Sequence, residues 1–443
     1  MSAADRRTWL LIGALVVIFV LMIPLSAVVW GVNYDYTLVT VAVGGAVLGV
    51  LSGVLGSFAV LRQQSLMGDA LSHAALPGVA IAFLLMGREL GWLLIGAGIA
   101  GWVGVMFINS VTRTTRIKQD TAMGIALTAF FAFGITLLTY IQSRNDASQA
   151  GLDQFIFGQA AAIKRQDVLL ISGVGLAVFV ILALFWKEFK LITFDTEFAR
   201  ANGFNVRFLD TLLSTLIVVA IVLGLQLAGV ILMVGMLIAP AVAARQWTHR
   251  LDQMLVLSAL FGGFAGAAGA ILSGIEQGLP TGPLIIVVAS AIVFLSIAFA
   301  PERGLVWALW QRRQDRQRFA AQHIMRDIYR HARQHDDFFQ PAPAGMLAAL
   351  RGPVARVGIQ QLTQAGLIEP TSGDHWRLTR TGLAAAREDA RNLRLWDLYR
   401  QYSETLDLPV IAENHQQPIK VMLPAADVAK LETLLDGEAG VRN

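Results

Sequence analysis

The sequence predicts an all-α polytopic membrane protein of about ten transmembrane helices, carrying a small cytoplasmic α+β domain of winged-helix outline. Three observations predict it. Of 443 residues, 55% are hydrophobic and only 15% charged, too apolar a balance for a water-soluble chain of this length. Apolar runs near the ~20 residues needed to cross a hydrocarbon core recur from residue 8 to about 300. Beyond that point Arg, Gln, Asp and Glu become frequent and no run could span a bilayer, so the chain divides into a membrane part, 1–303, and a soluble part, 304–443.

In chain order the candidate spans are 8–30, 37–61, 65–87, 91–111, 122–142, 167–186, 253–275 and 281–300. The first is longer than the core of a usual signal peptide and is followed by no clear cleavage site, so it reads as a retained span. Residues 209–244 run apolar for too long to be one ordinary crossing, because a helix rises ~1.5 Å per residue and the core is ~30 Å thick. A break near Gly224, Gln226 and Gly229 makes two short spans of this stretch.

Positive charge sets the sides. Arg6/Arg7, Arg62, Arg113/Arg116/Lys118, Lys187/Lys190/Arg200/Arg207, Arg245/Arg250 and Arg303/Arg312/Arg313 fall at alternate ends of the spans, which places both termini in the cytoplasm. Arg88, Arg144 and Lys164/Arg165 fall on the outer side, and a re-entrant 142–167 segment containing "GLDQFIFGQ" would account for some of them. Glycine recurs in "VGGAVLGVLSGVLG" (43–56) and "FGGFAGAAGAILSG" (261–274), spacing that lets helix backbones approach closely in lipid. There is no cysteine, which excludes disulfides, thiolate metal sites and thiol catalysis.

Against this apolar background "SLMGDALSHAALPGV" (65–79) places Asp69 and His73 four residues apart. Positions i and i+4 share a helix face, so a carboxylate oxygen and an imidazole nitrogen can be offered to one point, with Ser65 and Leu76 continuing the stripe. A carboxylate inside a span costs roughly 2.5–3.5 kcal/mol on insertion scales and so faces a partner, a cavity or an ion. Two readings stay open on spacing alone: a pairing of Asp69 with Arg62, seven residues earlier, or a place on an ion's route.

The words around the pair narrow this. "LRQQSLMGDALSHAALPGVAIAFLL" (61–85) resembles the signature of permease subunits of zinc- and manganese-type ATP-binding cassette importers, and "LAGVILMVGMLIAPAVAAR" (227–245) resembles a late segment of the same family; the likeness covers roughly residues 35–300. The resemblance implies a metal-importer and cobalamin-importer-like permease fold in the bacterial inner membrane, working as a pair of permeases, identical or sister. It also implies a cytoplasmic ATP-binding subunit and an extracytoplasmic metal-binding protein as partners. The Asp and His of its G-D-A-x-S-H motif stand here as Asp69 and His73, on the metal's route. The cargo implied is a divalent transition metal, manganese first, then zinc or iron. Oxygen and nitrogen ligands suit all three, and the lack of thiols disfavours Cu(I). Two ligands from each of two subunits would complete a transient site. No permanently bound cofactor is expected.

Nothing resembles the G-x-x-x-x-G-K-[ST] phosphate loop, so this chain is expected to be a transport subunit without an ATPase site of its own. The polar stretch "KEFKLITFDTEFARANGFNVRFLD" (187–210) carries a short helix signal, with Asp195 or Thr196 as N-cap and Gly203 as stop. Pattern alone also fits an interfacial loop with Phe194 and Phe198 on one face. "FARANGFNV" (198–206) resembles the family's coupling segment, and that likeness implies Glu197, Phe198, Arg200, Ala201 and Gly203 at the ATPase contact.

In the soluble part "QDRQRFAAQHIMRDIYRHARQ" (314–334) is amphipathic, and 352–388 orders a helix ending at Gly366, two strands about "TSGDHW", and a helix beginning after Thr379 or Thr381. This outline, with "RLWDLYRQY" (394–402) after it, resembles the DNA-binding part of the iron-dependent repressor family. The chain departs from that family where a His and a Glu ligand are expected, offering Leu393 and Asp397. Arg356, Gln360 and Gln361 stand where base or phosphate contacts would be made if the domain bound DNA; a protein-contact role fits the outline equally. Two further readings compete with metal-ion import: a permease for a chelated metal, with Asp69 and His73 structural, and a membrane-tethered, DNA-binding, metal-responsive regulator.

Overall fold

The computed structural model describes residues 35–87, 89–143, 163–276, 279–300, 304–411 and 418–440, with Gly13 and Val17. The expected first span at 8–30, those two positions apart, and the centre of the 142–167 stretch lie outside the described residues. The chain divides into two compact units, Met1–Trp307 and Ala308–Asn443.

The first unit is helical. Its elements are α1 (Tyr36–Leu61), α2 (Met67–Met86), α3 (Leu90–Thr114), α4 (Gln119–Gln142), α5 (Arg165–Leu184), α6 (Trp186–Phe194), α7 (Thr196–Ala201), α8 (Val206–Trp247), α9 (Leu251–Ser273) and α10 (Thr281–Phe299). Among the described residues eight helices are long and apolar enough to cross a membrane: α1 to α5, the first arm of α8 (Val206–Leu225), α9 and α10. The long apolar stretch breaks where the sequence suggests. Gly229 adopts φ 77°, ψ 169°, a conformation open essentially to glycine alone. On a straight helix residues nine apart would be ~13.5 Å apart along the axis, yet a Cβ built on Gly224 would lie 2.1 Å from the Met233 sulfur. The chain therefore doubles back at Gly229 into two arms. Both arms have their far ends by the end of α1: Asp210 pairs with Arg62, while Trp247 and Leu61 pack on one apolar cluster around Ala244 and Met254.

The two glycine-rich stretches meet one another. Gly45, Gly49 and Gly53 of α1 face Gly266, Gly262 and Ser258 of α9 so closely that a Cβ on Gly49 would sit 2.0 Å from the Gly262 carbonyl oxygen. Such contact is what a bundle in lipid requires, since tails of equal apolarity leave packing as the force between helices. Polar contacts accompany it: the buried hydroxyls of Ser57 and Ser258 lie 2.6 Å apart, and the Ser258 hydroxyl is 3.0 Å from the Gly53 carbonyl oxygen. A second close crossing, Gly78 of α2 over Gly96 of α3, fixes the middle of the helix that carries Asp69 and His73.

The second unit contains α11 (Leu305–Gln334, which begins just before the division), β1 (Ala342–Pro343), α12 (Ala344–Arg351), α13 (Val354–Gln364), β2 (Ile368–Thr371), β3 (His375–Leu378), α14 (Arg380–Tyr402), α15 (Ile419–Met422) and α16 (Ala425–Gly440). The strands form one antiparallel sheet in the order β1-β3-β2, with Ala342 opposite Trp376 and Ile368 opposite Leu378. Gly373 and Asp374 supply positive φ at the hairpin turn, as a tight reversal requires. Thr379 caps α14 by accepting from the Gly382 amide at 3.0 Å. Two apolar clusters hold the unit, one around Ile324, Ile328, Leu347 and Leu362 and one around Leu395, Trp396 and Leu431.

Candidate metal path and coupling surface

Asp69 and His73 lie on one face of the first half of α2, with His73 Nε2 3.3 Å from Asp69 Oδ1. The carboxylate is about a third exposed (35%) and the imidazole less so (16%), so the pair opens toward accessible space from a stretch, Met67–Ala80, that is otherwise buried. The other ring nitrogen of His73, Nδ1, is buried without a hydrogen-bond partner. Phe131 of α4 stands edge-on to the imidazole at 4.7 Å between centroids, and three residues on, Gly134 lets α4 close against Leu76 and Pro77. Pro77 sits four residues beyond His73 in the same helix, so the His73 carbonyl lacks its ordinary intrahelical donor. Ser65, expected to extend the stripe, precedes the start of α2 at Met67 and is exposed.

The expected alternative pairing of Asp69 with Arg62 gives way to another arrangement. Arg62, at the end of α1, donates to Asp210 in the first turns of α8, and Arg113, at the end of α3, approaches the same carboxylate at 3.5 Å. Asp69 is left with His73. Among the described residues no three His, Asp or Glu side chains gather as a metal cage, so at this point the helix offers one carboxylate and one imidazole.

The loop between α5 and α8 folds as a short helical corner. The Asp195 carboxylate accepts from the Phe198 amide at 2.8 Å, α7 runs from Thr196 to Ala201, and Gly203 at φ 81° ends it. Glu197, Phe198, Arg200, Ala201 and Gly203 are all exposed, while Ala199 between them is fully buried and anchors the turn. Glu197 and Arg200 pair at 2.9 Å in full view of solvent. Phe194, Phe198, Phe204 and Phe208 are exposed around this corner, a density of uncovered aromatic surface that soluble faces rarely carry without a partner.

In the second unit Arg356 and Gln360 line a groove of about 540 Å³ between α12, α13 and the β2–β3 hairpin, with Asp374 and Trp376 across from them. Gln361, one position round the helix, is half-buried. The groove thus carries charge of both signs, unlike the uniformly basic footprint of a nucleic-acid face. Asp210, its two arginines and Phe131 were beyond sequence reasoning: Arg62 and Asp210 are 148 positions apart, and no local periodicity links such residues.

A helical bundle with close glycine crossings and eight candidate spans among the described residues is the fold of a polytopic membrane protein. Residues 34–300 match the ABC 3 transport family, and the chain belongs to that family. It is 41% identical over 367 residues, 83% of this chain and 84% of the relative, to the manganese transport system membrane protein MntC of Bacillus subtilis. That alignment is longer than the 307 residues of the first unit, so it extends into the second. The chain is 50% identical over 281 residues, 63% of this chain and 94% of the relative, to the zinc transport system membrane protein TroC of Treponema pallidum. Among solved structures it is similar to PsaBC from Streptococcus pneumoniae in complex with Fab, with 34% identity, a TM-score of 0.54 and coverage of 61% of this chain and 94% of that one.

Proposed function

We propose that this chain is the membrane-spanning subunit of an ATP-driven importer that moves a divalent transition metal, manganese in first place and zinc or iron after it, into the bacterial cytoplasm. The observation that carries the reading is the Asp69–His73 pair: a carboxylate and an imidazole 3.3 Å apart on one helix face, partly open to accessible space. A mixed oxygen and nitrogen donor set suits Mn(II), Zn(II) and Fe(II). A half-site of two ligands holds an ion briefly, and two such halves from paired permeases make a site an ion can both enter and leave. The names of the relatives, a manganese and a zinc system, support a cargo of this class.

In this reading both termini are cytoplasmic, and an extracytoplasmic protein delivers the ion. The exposed corner of Glu197, Phe198, Arg200, Ala201 and Gly203 enters a cleft of a separate ATP-hydrolysing subunit, and this chain performs no hydrolysis itself. The second unit is a winged-helix accessory domain whose groove at Arg356 and Gln360 takes a protein contact; its mixed charge gives no support to nucleic acid.

The test is uptake of radiolabelled Mn(II) and Zn(II) by cells expressing the chain with its ATPase and binding protein. Asp69→Ala and His73→Ala, at equal membrane abundance, are expected to fall to background for both ions. Wild-type uptake in both variants would make the pair structural and return the chelated-metal permease to first place. Truncation after Pro301 separates the tail's roles: uptake that persists with altered regulation fits an accessory domain.

A further inference from the structure

The Asp210 carboxylate ties three helices together at one end of the bundle. Its partners are Arg62, at the end of α1, and Arg113, at the end of α3. Asp210 itself stands seven residues after Gly203, in the first turns of α8. Asp210 and Arg62 are mostly covered, with side chains 16% and 14% exposed, so their attraction is screened little by salt. Arg113, 42% exposed, adds a weaker hold from the solvent side.

What these partners connect is specific. On one side of Asp210 lies the α7 corner, joined to it by Asn205, which caps α8 by accepting from the Phe208 amide at 3.1 Å. On the other side, Arg62 opens the turn into α2, where Gln63 takes φ 58° and the Gln64 amide donates to the Ala59 carbonyl at 2.8 Å. A non-glycine residue in the left-handed region makes that turn a strained one. Asp69 begins the metal face one and a half turns later. The only charged contact spanning from the coupling side of the unit to the turn before the metal helix, among the ion pairs the described residues form, is therefore Asp210 with Arg62. One terminal nitrogen of Arg62 is also buried without a partner. A buried cationic donor left unsatisfied is costly, and Arg62 keeps one donor for a further acceptor.

We infer that Arg62, Asp210 and Arg113 form a latch through which movement of the α7 corner reaches α2, holding the metal helix in its resting place until the corner shifts and releases it. Asp210 is thus a positioning residue for transport and touches no ion. The inference rests on the reading of residues 197–203 as the ATPase contact.

The test uses the full chain with its ATPase subunit in proteoliposomes, reading Mn(II) transported per ATP hydrolysed. Asp210→Asn, which keeps shape and removes charge, is expected to lower that ratio about fivefold or more, the scale of a typical coupling free energy, with hydrolysis continuing. Asp210→Glu restores most of it, and Arg113→Ala gives a smaller loss than Arg62→Ala. A parallel fall of transport and hydrolysis in Asp210→Asn, or an unchanged ratio, overturns the latch. Because the chain has no native cysteine, spin labels on Leu66→Cys and Arg207→Cys report the gap directly. Its distance distribution should widen in the resting state of Asp210→Asn, and an unaltered distribution counts against the latch. Phe198→Ala serves as the control for the underlying reading: retained ATPase binding there removes the coupling surface itself, whatever Asp210 does.

Discussion

The two units of this chain are held together by different means, and the difference follows from what surrounds each. In the membrane unit the backbone itself is a contact surface: α1 and α9 meet through glycine carbonyls, and α2 crosses α3 at Gly78 and Gly96. Among the described residues its arginine–carboxylate pairs sit at helix ends and in the short α7 corner. In the second unit charged side chains tie the helices: Arg326 of α11 holds Asp389 of α14, and Arg351 of α12 holds Asp327 of α11 through both carboxylate oxygens, at 2.7 and 3.1 Å. Amphipathic helices there bury one apolar face each. Water drives that burial, and lipid offers no such drive, so the membrane unit depends on closeness of fit instead. The division is not absolute. Gly358 and Gly382 also lie against backbone carbonyls, of Ala320 and Leu367, so the second unit uses the glycine device too, where α13 crosses α11.

The largest effect that would test this contrast is Gly49→Val. With no room beside the Gly262 carbonyl, the added side chain must push two backbones apart, at a cost of about 3 kcal/mol or more. Loss of a monodisperse species in detergent size-exclusion is the expected result, with tail peptides unchanged in hydrogen exchange; a well-behaved variant would show that the helices can part. Next comes Arg351→Ala, which leaves the nearly buried Asp327 (side chain 3% exposed) without its partner. Since Arg351 is itself a third exposed, about 2 kcal/mol is a reasonable expectation. It should appear as faster exchange in α11 and α12, with the first unit and metal uptake unaffected.

The smallest effect is one of pH. Burial first, then the guanidinium groups of Arg351 and Arg326, hold the His323 imidazole below its ordinary range. The unfolded chain therefore takes up a proton before the folded one. Stability that is full above about 6.5 declines as pH falls toward the folded-state value. Exchange in α11, corrected for intrinsic rates, should rise modestly between pH 7 and pH 5.5, and His323→Gln should flatten that rise. A membrane unit that shared the same slope would erase this part of the comparison.

Much of the membrane unit was legible because lipid imposes a strict local rule: apolar length marks a crossing, and α1 to α5, α9 and α10 begin and end within a few residues of the runs that announce them. The break in α8 was legible for a related reason, since 36 apolar residues exceed one crossing and glycine marks where the chain can turn. Asp69 and His73 stood out as ionisable side chains against an apolar ground. What stayed hidden was pairing across distance. That Gly49 would meet Gly262, that Arg62 would choose Asp210 over Asp69, and that Phe131 would lie against His73 depend on which helices become neighbours, which no period of 3.6 residues encodes. In the second unit, by contrast, the turn chemistry of Gly366, Gly373 and Thr379 placed the helices and strands well, but not the ion pairs between them.

The reversal at Gly229 also governs delivery. A chain entering a bilayer changes sides with every crossing, so the side on which α9, α10 and the whole second unit emerge depends on whether Val206–Trp247 counts as one passage or two. Folding back brings the far ends of both arms to the end of α1, so the stretch ends beside the place where it began. A single residue at φ 77° thereby sets the end of the bundle from which the 214 residues after it continue.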